Sequence, residues 1–303
     1  MRLKKITALF LTGALILSMA GCAGNGSKDK KEGSAGNEAQ EPVKIATKPM
    51  TEQFILGEML KKLIEEKAGY EVELTKGIGG GTSNIQPAME KGEFDLYPEY
   101  SSSGWILVLG HKAGEVSEDK MLAKLQEEYE EKFDMTWVGL YGQNNTYAVV
   151  VREDTAKKYN LETCSDLAAV SDQLVFGGNP DYMEREDGYP MICEAYGMDF
   201  KGTVDVDIAL KYQAMANGEI DVTNAFTTDA QLAAADVKLL EDDKSLFATY
   251  YAGTVVRTDT LEKYPGLADT LEKLTGQISD EEMRNMNYQV EVESKDEKEV
   301  AKA

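Results

Sequence analysis

The sequence predicts an α/β protein built as two lobes with a ligand cleft between them. Three observations carry that expectation. After the N-terminal segment is set aside, about 260 of the 303 residues remain, more than a single hydrophobic core usually organises. The start of this body alternates strand, helix and strand, the order of a parallel sheet with crossover helices. The chain also repeats itself. Residues 88–96 read Ala-Met-Glu-Lys-Gly-Glu-Phe-Asp-Leu and residues 214–222 read Ala-Met-Ala-Asn-Gly-Glu-Ile-Asp-Val, identical at five of nine positions. Each copy reads as a helix end, a glycine stop and a short buried strand. Each leads into aromatic residues, Tyr97 and Tyr100 after the first and Phe226 after the second. Two equivalent strand ends facing one cleft would follow, since open α/β sheets bind ligands at the carboxyl ends of their strands.

The elements follow in order. Arg2, Lys4 and Lys5 precede an apolar stretch from Ile6 to Met19. At about 14 residues it is shorter than the roughly 20 needed to span a bilayer, and it suits a signal-peptide core over 1–21. It ends in Met19-Ala20-Gly21-Cys22, small residues before a cysteine, which is similar to the lipobox of bacterial lipoproteins with Met where Leu is preferred. The similarity implies a lipid on Cys22. Residues 22–41 then form the lipidated cysteine and a flexible tether of small and charged residues with no apolar period. The expected location is the outer face of the bacterial cytoplasmic membrane.

In the body, Val43 to Thr47 reads as a strand. Phe54, Ile55, Met59, Leu60, Leu63 and Ile64 recur at helical spacing, with Thr51 as the expected cap, and Tyr70 to Leu74 alternates like a strand. Gly77 to Ser83 is glycine-rich but lacks a Gly-Lys-Ser/Thr sequence. It reads as a loop into a helix capped by Thr82 or Ser83. The run Asn144 to Val151 is the expected crossover and Tyr250 to Val256 the return. This places lobe one at 42–145 plus 250–303 and lobe two at 146–249, with a frayed, charge-rich tail from Glu291.

Composition narrows the function. The net charge is −22, from 32 basic and 54 acidic residues. Losing Arg2, Lys4 and Lys5 with the signal leaves 29 basic residues and a charge of −25. That argues against nucleic acid as a partner, which needs basic clusters. His111 is the only histidine, so a catalytic triad would depend on it and a zinc site would have little but carboxylates. No enzyme, cofactor or metal is expected. Asp242-Asp243 lacks partners at calcium-loop spacing. Cys164 and Cys193 can be bridged or free, because spacing alone does not fix the geometry.

Six motifs in order carry a resemblance: Thr47-Lys48-Pro49-Met50-Thr51-Glu52-Gln53; Gly92 to Tyr100; Asn144-Asn145-Thr146-Tyr147-Ala148; Asp187-Gly188-Tyr189-Pro190; Asp221 to Asp229; and Leu240-Glu241-Asp242-Asp243-Lys244. Each is weak alone, and the ordered set over 43–285 is specific. The chain resembles the substrate-binding lipoproteins of ABC importers for quaternary-ammonium osmolytes such as glycine betaine, choline and carnitine. The resemblance implies a two-lobed periplasmic-binding-protein (type II) fold and an ABC permease with its ATPase as partners. It also implies a cage of aromatic rings round the trimethylammonium head. By motif, Tyr100, Tyr147 and Tyr250 match cage tyrosines, with Tyr251 the register alternative to Tyr250. Phe226 stands where the family usually has Tyr.

The physics suits such a ligand. A quaternary ammonium donates no hydrogen bond, while a ring face attracts a desolvated cation by about 2 kcal/mol. A zwitterion's carboxylate also needs donors. Thr51 and Gln53 at a helix start, Ser103, Asn145 and Arg185 are the candidates. The resemblance singles out Ser103 as a polar contact and Arg185 as a latch between closed lobes. Two alternatives stay open: a binding protein for another small ligand such as an amino acid, and a lipoprotein interacting with the cell wall.

Overall fold

The computed structural model describes residues 41–112, 114–184, 188–207 and 210–302. The signal peptide, Cys22, nearly all of the tether, and Arg185 lie outside the described residues.

Two five-stranded sheets organise the body. The first contains β1 (Val43–Ala46), β2 (Val72–Thr75), β3 (Leu96–Tyr100), β4 (Met135–Val138) and β10 (Ala252–Arg257) in the order β2-β1-β3-β10-β4. The second contains β5 (Tyr147–Arg152), β6 (Val175–Gly178), β7 (Gly202–Asp205), β8 (Val222–Phe226) and β9 (Val237–Leu240) in the order β7-β6-β8-β5-β9. The two orders correspond strand for strand. In each sheet four strands run in one direction, and the remaining one, β10 or β5, is antiparallel to both its neighbours. The sheets are therefore mixed rather than wholly parallel as the strand–helix–strand order suggests. β5 and β10 are the strands that begin where the chain leaves one sheet and enters the other, which is why they run opposite to the crossover-linked strands.

The internal repeat occupies matching places. In the first copy helix α2 (Thr82–Glu90) ends before Gly92, whose φ is +74°, and β3 follows. In the second, helix α3 (Lys211–Ala216) ends before Gly218, φ +73°, and β8 follows. The aspartates of the repeat pin neighbouring strands alike: Asp95 accepts from the Lys44 backbone N–H at 2.8 Å, and Asp221 from that of Val175 at 2.9 Å. Arginines at the ends of the antiparallel strands complete the parallel. Arg257 pairs with Asp259 beside Gly92, and Arg152 with Asp154 beside Gly218.

Several local expectations are corrected. Helix α1 covers Thr51–Leu63, but its cap position is Met50 and Thr51 is already inside the helix with no capping hydrogen bond. Gly81 occupies the cap position of α2, and Thr82 instead donates to Glu99 at 2.7 Å. The tail is not frayed: the helix Glu297–Val300 lies on α1 and buries Val300. Cys164 and Cys193 are free thiols. Cys164 is buried in the apolar core of the second sheet, and burial pushes its thiol up to about 12. The Cys193 thiol lies beside the Tyr189 hydroxyl. Asp242 and Asp243 are hydrogen-bond acceptors that pin the return segment, to Tyr196 and the Phe247 N–H and to Ser165 respectively.

Candidate ligand-binding site

The backbone registers bring the candidate aromatic residues to the ends of strands. On the first sheet Tyr100, the last residue of β3, lies opposite Ala252, the first of β10. On the second, Tyr147, the first residue of β5, lies opposite Phe226, the last of β8. Tyr100 and Phe226 also occupy the same position in the two copies of the repeat, at the fourth residue after the strand's first. Both strand ends open onto the segments that join the sheets.

Those segments pair with each other. Asn144 bridges Tyr251, the Tyr250 N–H donates to Asn144 Oδ1 at 2.6 Å, and the Asn145 N–H donates to the Tyr250 carbonyl at 3.2 Å. The Thr146 hydroxyl donates to the Ala248 carbonyl, and the Thr227 hydroxyl to that of Asn144. Two antiparallel crossovers held this way form a short hinge ribbon. A third link runs beside it: helix α4 (Asp280–Glu291) lies against α1 and against the turn at Ala230–Ala233. From α4, Arg284 donates to the Thr227 carbonyl at 2.8 Å and Asn287 to that of Thr228 at 3.0 Å.

The aromatic residues fall into two groups. On the second sheet the Tyr147 ring stacks on Phe226 with centroids 4.8 Å apart and planes at 25°. Tyr182 at 5.4 Å and Phe247 at 6.3 Å extend this group. The sequence reading missed both, because they sit outside the cage motifs and only the fold brings them to Tyr147. On the first sheet Tyr100 is buried, with Tyr250 packed against the same apolar cluster. The Tyr251 phenol is raised by burial and by the Glu118 carboxylate beside it.

Tyr100 stands in a charged surrounding that the motif reading did not resolve. The buried Lys48 ammonium lies over its ring, 4.7 Å from the centroid, and pairs with Glu99. Glu99 is fully buried and also accepts from the Thr82 hydroxyl and, at 2.6 Å, from the Tyr100 N–H. The Tyr100 hydroxyl donates to Glu52 at 2.6 Å. Burial, and then the Glu52 charge, push the phenol well above its ordinary range.

The polar candidates separate likewise. Ser101 and Ser102 are used by the fold, both donating to the Thr249 carbonyl. Ser103 is half-buried one residue further on. Asn145 donates its amide to Glu52 at 3.2 Å. Thr51 is half-buried at the start of α1. Gln53 is fully buried, and its amide nitrogen has no hydrogen-bond partner among the described residues. Both amide atoms of the buried Gln143, in the crossover, are likewise unpartnered. Buried polar groups are rarely left unpaired, so these two amides have hydrogen-bonding capacity to spare. Lys48 is a buried cation between Glu99 and the Tyr100 ring. A lysine within a motif carries no burial signal, which is why sequence reasoning passed over it.

Comparison with known proteins places this arrangement. A family model described as the substrate-binding domain of ABC-type glycine betaine transport systems matches residues 41–303. The ergothioneine transport permease/ergothioneine binding protein EgtU of Helicobacter pylori is 43% identical over 263 residues, covering 87% of this chain and 47% of that protein. The chain thus spans about half the length of that relative. The carnitine transport binding protein OpuCC of Listeria monocytogenes is 37% identical over 294 residues, covering 95% of this chain and 92% of that one. A solved glycine betaine/carnitine/choline ABC transporter structure superposes with a TM-score of 0.81 at 35% identity, covering 86% of this chain and 96% of the other.

Proposed function

The chain belongs to the family of substrate-binding domains of ABC-type glycine betaine transport systems, and from that premise we propose that it captures a quaternary-ammonium zwitterion in an aromatic cage. As a member of that family it is an extracytoplasmic binding protein for a small molecule, it works with a permease, and it is not an enzyme. The observation that carries the ligand reading is the stacked pair Tyr147–Phe226 at the end of one sheet, with Tyr100 at the equivalent strand end of the other. A trimethylammonium group offers only a diffuse charge and apolar methyls, so ring faces recognise it where hydrogen-bond acceptors gain little. Tyr250 completes the lobe-one side, and Phe226 keeps a ring face without the phenol oxygen. Lys48, Gln53, Ser103 and Arg185 supply donors for a carboxylate. Thr51 and Asn145 are the further polar candidates.

The lobes of this reading are residues 42–145 plus 250–303 and residues 146–249, turning about the paired crossovers. Residues 1–21 act as a signal peptide and Cys22 carries the lipid that holds the protein at the membrane. No helix among the described residues is long and apolar enough to cross a membrane. The relatives support four ligands for trial: glycine betaine, carnitine, choline and ergothioneine. Calorimetric titration with each, repeated on Tyr147→Ala, tests the proposal. We expect submillimolar binding of at least one. We also expect the variant to lose about thirtyfold in affinity, the equivalent of roughly 2 kcal/mol for one desolvated cation–π contact. Binding of none of the four would overturn the ligand class, and unchanged affinity in Tyr147→Ala would overturn the cage.

A further inference from the structure

Glu52 is the one acidic residue in the first turn of α1, and on the sequence it reads as a charge favouring the helix N-terminus. The structure gives it another setting. The residue is 4% exposed, and among the described residues its carboxylate has hydrogen-bond donors rather than a salt-bridge partner. Oε1 accepts from the Tyr100 hydroxyl at 2.6 Å and from the Asn145 amide at 3.2 Å. Oε2 accepts from the Asn287 amide at 3.3 Å. These donors come from three different places: the end of β3, the hinge ribbon and helix α4. The same Asn287 nitrogen donates to the Thr228 carbonyl just beyond β8 at 3.0 Å. One buried carboxylate thus sits where a cage ring, the hinge and the contact with the second sheet meet.

We propose that Glu52 is a positioning residue for ligand capture, acting through the Tyr100 hydroxyl. The inference rests on the cage reading above. A buried carboxylate is stable only where its oxygens are satisfied, and hydrogen bonds to a charged acceptor are the strong ones. The short phenol–carboxylate bond fixes the ring at its outer end, while Lys48 holds one face and Glu99 the backbone. Donation of the phenol hydrogen to a charged acceptor also polarises the O–H bond and moves electron density into the ring, and a cation is attracted to the ring's negative face. Position and electronics therefore act in the same direction. The bonds from Asn145 and Asn287 keep the carboxylate aimed at Tyr100, so the ring is set by the same contacts that join the sheets.

A double-mutant cycle tests this by calorimetric titration with whichever of the four ligands the unmodified protein binds. The variants are Glu52→Gln, Tyr100→Phe, the two combined, and Tyr147→Ala as the reference for the cage. Glu52→Gln keeps the shape and removes the charged acceptor; Tyr100→Phe removes the donor and keeps the ring. Each single change is expected to weaken binding about tenfold, the scale of one charge-assisted hydrogen bond. The combined protein should be less than about threefold weaker than Tyr100→Phe alone, because the bond is already absent there. A purely structural role would not produce that coupling, and melting temperatures of all four proteins identify any fold defect. Equal tenfold losses from Glu52→Gln in both backgrounds, or no loss in either, would overturn the proposal while Tyr147→Ala still weakens binding about thirtyfold. If Glu52→Gln does not fold, Tyr100→Phe decides alone: undiminished affinity overturns the proposal. An unmodified protein that binds none of the four ligands fails at the cage reading itself and takes this inference with it.

Discussion

At the scale of single residues, the surroundings of Tyr100 are set by the buried charged residues Lys48, Glu52 and Glu99. Thr51 and Gln53 were legible as site candidates because a helix start offers free N–H groups. Glu52 between them and Lys48 before them were not, because burial of a charge depends on what packs over it. Glu99 and Tyr100, about fifty residues away in sequence, are what cover Lys48. Tyr100 also makes a pH prediction. Its phenol is raised above the ordinary value of 10.0, first by burial and then by Glu52. A group whose pKa is raised on folding contributes stability fully present below the unfolded pKa and lost as pH rises towards the folded one. The melting temperature should therefore hold steady up to about pH 10 and fall above it. Tyr97, Tyr129 and Tyr141, also buried and raised, share that fall. Thermal scans of Tyr100→Phe should fall less steeply than the unmodified protein; identical slopes would remove Tyr100 from this role.

At the scale of elements, the repeat is the feature that the sequence displays most openly. The glycines in Ala-Met-x-x-Gly are visible because only glycine takes φ near +74° without strain, so both copies keep it. The arginines behind them were not visible. Arg257 and Arg152 reach each glycine from a strand far along the chain, and a Cβ at either glycine would meet the guanidinium within 2.7 Å. Gly92→Ala and Gly218→Ala should each destabilise by about 1–2 kcal/mol, from the left-handed backbone and the displaced arginine. Denaturant titration measures both. A loss confined to one of them would argue against the equivalence of the two units. What the repeat could not convey is that β10 enters antiparallel between β3 and β4. That pairing joins Leu96 to Val256, residues far apart in sequence, and no local pattern announces it.

At the scale of the whole molecule, two sheets of one topology are joined by a ribbon of paired crossovers and by helix α4. The surplus length beyond one core, the order of the six motifs and the scarcity of histidine made the class of protein legible. The grouping of rings was less so. Tyr147 and Phe226 were matched from separate motifs, and β5–β8 register makes them a stacked pair. Tyr182 and Phe247 join them only through packing. In the structure Tyr100 and Tyr250 belong to one apolar cluster and Tyr147 to another, so capture of a ligand would draw the two groups together about the ribbon. The most direct measurement is a crystal structure of the protein with its bound quaternary-ammonium ligand. The account predicts the ligand nitrogen within about 6 Å of the ring centroids of Tyr147, Phe226 and Tyr100 together. A nitrogen paired with a carboxylate and away from those rings would contradict it.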